Sequence, residues 1–320
     1  MNQTSEAKAS AAKVRDVQNI ESASESERRS RRIGILLMMA AYLSFTILDS
    51  SAKWLGRSLP PLEIAWARYV GASILALAMI RMSRAPSAFV SGNLKLQMMR
   101  SLALFISTVL NFIALLYLQL AQTVSIFFGL PLLVALLAGP MLGEWVGPRR
   151  LIAIGFGFIG ILVVTGPGLG GFQPAMILSL IGTLCNAFYN IWTRKLATID
   201  SWQTTLNYSS LLGTVLLTLT LPTYWVWPQT TLQWAVMLIP GTAGVIGHYF
   251  LILAHRRAPA SILAPFIYTQ IAWMVTAGFL LFGDIPAIST LAGGGVVIAS
   301  GLYLWYRERA VHAEISADSL

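Results

Sequence analysis

The stretch ALLYLQLAQTVSIFFGLPLLVALLAGPMLGE, residues 114–144, aligns without gaps on AHRRAPASILAPFIYTQIAWMVTAGFLLFGD, residues 254–284. Each copy ends in glycine followed by an acid, Gly143-Glu144 and Gly283-Asp284. Beyond the aligned block, Gly155 falls on Gly295 and Leu162 on Leu302. A weaker match, displaced by one residue, sets Asp49 and Lys53 against Asn190 and Arg194. The chain therefore reads as two copies of one unit.

What each copy contains follows from the apolar blocks. A helix crosses the hydrocarbon core with about 20 apolar residues. Blocks of that length fall near 33–55, 62–82, 96–117, 121–142 and 149–166, and again near 174–193, 203–222, 232–254, 260–282 and 287–306. Of the 320 residues, 56% are hydrophobic and 11% charged, with mean hydropathy +0.68. A soluble domain carries about twice that charge. The expected fold is all-α and integral to the membrane, with ten transmembrane helices. Five spans per copy is an odd number, so the second copy must lie upside down relative to the first. Such inverted repeats build many secondary transporters around a central site.

Residues 1–32 stand apart, rich in Ser, Ala, Glu and Lys and ending in Arg28, Arg29, Arg31 and Arg32. They read as a disordered basic tail. The apolar run that follows, to Leu55, is too long for the core of a signal peptide and reads as the first span. The expected units are then 33–168 and 174–306, with a short tail at 307–320.

Orientation follows from Lys and Arg, which concentrate in cytoplasmic loops. The N-terminal tail, then Arg81, Arg84, Lys95 and Arg100, then Arg149 and Arg150 fall on one side. Arg194 and Lys195, Arg256 and Arg257, and Arg307 and Arg309 fall on the same side. The opposite loops carry Arg57 alone. Ten spans place all the basic loops and both termini in the cytoplasm, with the chain in the inner membrane. The net charge of +9 therefore serves topology and gives no nucleic-acid surface. One cysteine, Cys185, permits neither a disulfide nor a cysteine metal set. No Gly-rich phosphate loop is present, and the sequence calls for no cofactor.

The run Ala114-Leu115-Leu116-Tyr117 through Pro131 to Leu142-Gly143-Glu144, followed by a Gly-rich span, resembles the EamA-type repeat of the drug/metabolite transporter superfamily. So do Trp66-Ala67-Arg68-Tyr69, Ala258-Pro259-Ala260-Ser261 and Ala264-Pro265-Phe266. One departure is Asp284, where such repeats often carry Glu. The resemblance spans Ile33 to Arg307. It implies ten helices, a cavity between the halves, and alternating access for a small polar or amphipathic metabolite. The expected activity is export of amino-acid-like metabolites. The alternative is import of a nucleotide-like cofactor such as riboflavin or S-adenosylmethionine; a passive channel or an intramembrane enzyme is the rival of another class.

Intramembrane charge costs about 2.5–3.5 kcal/mol on insertion scales. Asp49, Lys53, Glu63 and Arg68 carry it here, on the first two spans. Counting helical rise from the turn at Arg57 to Pro61 puts Asp49 and Arg68 at one depth, about 9 Å in. Lys53 and Glu63 are expected to pair off nearer the surface, and Asp49 to pair with Arg68 or with Lys53, four residues on in the same helix. The four read as a gate or as ion pairs fastening the hairpin. A solute cavity needs aromatic walls with placed donors and acceptors. Candidates for it are Asn111, Gln122, Ser125, Asn186, Tyr189, Asn190, His248, Tyr268, Gln270 and Trp273. Any one of these also suits a plain interhelical hydrogen bond or interface anchor. Pro131 and Pro265 should bend their spans. The glycines of the fifth and tenth spans read as helix packing or as a surface for a second copy.

Overall fold

The computed structural model describes residues 3–83, 89–143, 145, 147–165, 173–196, 198–258 and 260–318, with backbone alone at 3–27, 307–318 and a few positions between. Arg84, Glu144, Pro259 and the 166–172 loop lie outside the described residues. The described chain is helical throughout. The first copy comprises α1 (Gln3–Leu55), α2 (Pro61–Ser83), α3 (Leu94–Tyr117), the broken pair α4 (Leu120–Phe127) and α5 (Leu130–Leu142), and α6 (Pro148–Thr165). The second comprises α7 (Ala175–Leu196), α8 (Trp202–Thr220), the broken pair α9 (Thr231–Met237) and α10 (Ile239–Arg257), the composite of α11 (Ala260–Leu263) and α12 (Thr269–Ala277), and α13 (Ile288–Asp318). Among the described residues, seven helices are long and apolar enough to cross a membrane, and 151–165 and 288–303 are shorter apolar helices.

Two expectations shift in detail. α1 starts at Gln3, so backbone read as a disordered tail continues the first span as helix. Its Ala, Glu, Lys and Arg are strong helix formers, which explains the continuation. Arg100, read as a loop residue, lies inside α3 and is 3% exposed.

Packing follows the repeat. α1 packs on α10 as α7 packs on α3, and α2–α8, α4–α12 and α6–α13 pair equivalent elements across the pseudo-twofold. Equivalent side chains meet there: the Phe128 and Tyr268 rings stand edge to face, centroids 5.0 Å apart. Gly143 (φ 77) and Gly283 (φ 69), also equivalent, end their spans in the left-handed conformation that glycine adopts without penalty. Both prolines open helical segments, Pro131 in α5 and Pro265 in the 3-10 turn Ala264–Tyr268, where a missing N–H costs little.

Between apolar helices in lipid, close packing replaces the hydrophobic effect as the cohesive term. Gly71 of α2 faces Gly241 of α10 so closely that a Cβ on Gly241 would stand 2.9 Å from the Gly71 Cα. Gly160 and Gly293 bring α6 and α13 together in the same way, and Ser300 Oγ donates to the Ala153 carbonyl beside them. Most of the Gly-rich surface expected on these spans is thus spent within the chain. Gly155 and Gly295 have nothing within 4 Å.

Candidate functional site

Polar side chains recur at helical spacing on three spans and face inward. On α3 these are Ser107, Thr108 and Asn111; on α7 they are Ser179, Thr183, Asn186 and Asn190; on α1 Asp49 follows Tyr42 and Phe45. Residues three or four apart share one helix face, so each set forms a stripe. The stripes meet with Arg68 of α2, His248 of α10 and Gln270 of α12 around a cavity of about 260 Å³. Both copies of the repeat contribute walls.

The cavity is closed at one end. Lys53 Nζ donates to Asp284 Oδ2 at 2.7 Å and to the Leu118 carbonyl at 3.0 Å, over the Phe282 ring. This far end is the one where α1 finishes and α13 begins. Gln119 Nε2 adds a bond to the Ile285 carbonyl at 3.3 Å, and Ala52, Leu55, Leu118 and Leu120 are buried beside it. Towards the opposite end, where Ser30 of α1 meets the Arg257 carbonyl of α10, Asn190 on the cavity wall is exposed. The Lys53–Asp284 latch thus crosses the far side, and the exposed wall residue Asn190 lies towards the termini.

The expected charge ladder is corrected. Lys53 pairs with Asp284 of the second copy, and Glu63 instead accepts from the Val226 backbone N–H at 3.0 Å. Asp49 and Arg68 both line the cavity, yet form no ion pair within 4.0 Å among the described residues. Counting rise along a helix fixes depth and leaves azimuth open, and azimuth selects the partners. Asp49 Oδ1 accepts from Asn111 Nδ2 at 3.2 Å, while Arg68 Nη1 donates to Thr108 Oγ1 at 2.8 Å.

Of the expected wall residues, Asn111, Asn186, Tyr189, Asn190, His248 and Gln270 are brought together. Asn190 Nδ2 donates to the Asn186 Oδ1 at 2.8 Å, and the Phe45 ring stands edge-on to His248 at 5.1 Å. Four others lie elsewhere. Gln122 accepts from the Gln119 N–H as a cap of α4, Ser125 packs against Gly294, and Tyr268 lies on Phe128. Trp273 lines a separate groove with Ser50 and Trp54 of α1. The cavity residues Tyr42, Phe45, Ser107, Thr108, Ser179 and Thr183 escaped the sequence reading, although their helical stripes were visible in it. Arg100 backs one wall: its Nε donates to Thr193 and one Nη to Ser209, both at 2.6 Å, and the other Nη to the Tyr189 hydroxyl at 3.0 Å.

Comparison with known proteins bears on this site. The EamA-like transporter family model matches residues 32–166 and 173–306, one match per repeat. An S-adenosylmethionine uptake transporter of Rickettsia prowazekii is 24% identical, over 86% of this chain and 93% of its own. A riboflavin transporter of Vibrio cholerae is 26% identical, over 85% and 92%. The pseudopaline exporter of Pseudomonas aeruginosa is 23% identical, over 85% and 95%. A solved structure, described as the crystal structure of a protein, superposes with TM-score 0.59 at 16% identity, over 86% of this chain and 95% of that one. At that identity it speaks for the fold.

Proposed function

Since the chain belongs to the EamA-like transporter family, we propose that it exports small amino-acid-like metabolites across the inner membrane by alternating access. Membership makes it a membrane transporter and not an enzyme. The observation that carries the proposal is a cavity walled by both repeats, with the Lys53–Asp284 latch on its far side and the exposed Asn190 on its wall towards the termini. Repeats related by an inverting twofold can rock about such a cavity and exchange its open end. In the transport cycle the Lys53–Asp284 pair is the far-side gate: it breaks as the far side opens, and its equivalents on the terminal side close. The terminal side is the cytoplasm, as the distribution of Lys and Arg supports.

Uptake of a nucleotide-like cofactor is the second reading, supported by the names of the S-adenosylmethionine and riboflavin relatives. Counterflow in proteoliposomes tests both. Vesicles preloaded with unlabelled amino acids should accumulate labelled amino acid transiently above equilibrium, whereas vesicles loaded with S-adenosylmethionine or riboflavin should do so under the second reading. Label that only equilibrates, at a rate indifferent to preloading, is the outcome for a pore and would end the carrier proposal.

A further inference from the structure

Asp49 and Arg68 keep bonding capacity that a fastened ion pair would have used. Asp49 engages Asn111 through Oδ1, and Oδ2 has no partner among the described residues. A guanidinium has five N–H donors, and the engaged one on Arg68 is at Nη1, on Thr108. Both side chains line the cavity, and none of their atoms is among the fully buried polar atoms without a partner. Their free capacity therefore faces the cavity.

In a low-dielectric medium opposite charges draw together unless each is held. Here each is held by a neutral group on one helix. Thr108 and Asn111 are three residues apart on α3, about 4.5 Å along its axis, and present one face. The result is a carboxylate and a guanidinium that line one cavity without forming a direct ion pair.

We propose that Asp49 and Arg68 together read the amino-acid end of the transported solute, Asp49 taking the ammonium and Arg68 the carboxylate. This rests on the carrier reading of the cavity given above. A carboxylate matches the planar fork of a guanidinium in two parallel hydrogen bonds, and an ammonium donates to a carboxylate oxygen in a charge-assisted one. The solute gives each side chain a directly bonded counter-charge, which offsets the cost of keeping both charges in the membrane. Arg100 stands behind Tyr189 of the same cavity wall. Tyr42, Phe45 and His248 line the space left for the solute's side chain.

The test uses labelled L-methionine exchange in proteoliposomes, with two competitors. Methionine methyl ester lacks the carboxylate, and the 2-oxo acid lacks the ammonium. Each should compete about tenfold or more weakly than methionine, the loss expected for one hydrogen bond to a charged group. Asp49→Asn and Arg68→Gln should raise the half-saturating concentration by a similar factor. In Arg68→Gln the ester and the free amino acid should become equivalent, and Arg68→Lys should recover part of the discrimination. A structural role would lower folded yield without altering this selectivity. Competition by ester and oxo acid equal to that of methionine would overturn the reader. Exchange of riboflavin but of no amino acid would also overturn it and leave the carrier standing. With no exchange of any solute the carrier falls, and calorimetry of methionine against its ester on the purified protein decides the reader: preferential binding of methionine upholds it and equal or absent binding overturns it.

Discussion

At Gly241 the fold depends on a single missing carbon. A Cβ there would meet the Gly71 Cα at 2.9 Å and the Arg68 carbonyl at 3.1 Å, both backbone atoms that cannot swing aside. Gly241→Ala should therefore push α10 off α2 and cost about 1–3 kcal/mol, as overpacking does. Gly155→Ala, in open space on α6, should be neutral or slightly stabilising because alanine favours helix. Thermal unfolding of the two variants in detergent checks the contrast; equal midpoints would show that the α2–α10 contact is not tight. The same scale separates what the sequence made legible from what it did not. Asn111, Asn186, Asn190, His248 and Gln270 could be picked out as polar groups in mid-span, and they line the cavity. Ser125 and Trp273 satisfy the same criterion and face elsewhere. Depth is written in residue number, whereas the face presented depends on which helix packs alongside.

The elements were the most legible level. Apolar length placed most span ends to within a few residues, because a lipid solvent demands that length of every crossing helix. The exceptions are α1 and α13, which continue as helix into the tails, from Gln3 and to Asp318. The breaks were less visible. α4 gives way to α5 at Phe128 and Gly129, just before Pro131, and α9 gives way to α10 at Leu238, just before Pro240. Pro131 is legible in the sequence as a bending residue; Pro240 lies inside an apolar block, 232–254, that reads as one continuous span. Direction of the elements is testable without a structure. Reporters fused before Ile33 and after Arg309 should both read as cytoplasmic, and one inserted at 168–173 should read as external. Termini reporting from opposite sides would break the span count and the inversion together.

For the molecule as a whole, the decisive contacts join the two copies. The Lys53–Asp284 latch ties α1 of the first copy to the segment after α12 of the second, a pairing that depth counting within one hairpin could not reach. The internal repeat did not reach it either, since it matched Asp284 with Glu144 and Lys53 with Arg194. Ion pairs between moving parts suit a gate because either partner can be removed to bias the equilibrium. The central claim, one cavity opened alternately to either side, is tested most directly by a single cysteine at Asn186, midway along α7 on the cavity wall, in a Cys185→Ser background. A membrane-impermeant thiol reagent should label it from the side of the termini in the otherwise unaltered protein. With Asp284→Asn added, labelling from the far side should appear while labelling from the terminal side falls. Labelling from both sides at once in the unaltered protein, unchanged by Asp284→Asn, would contradict alternating access.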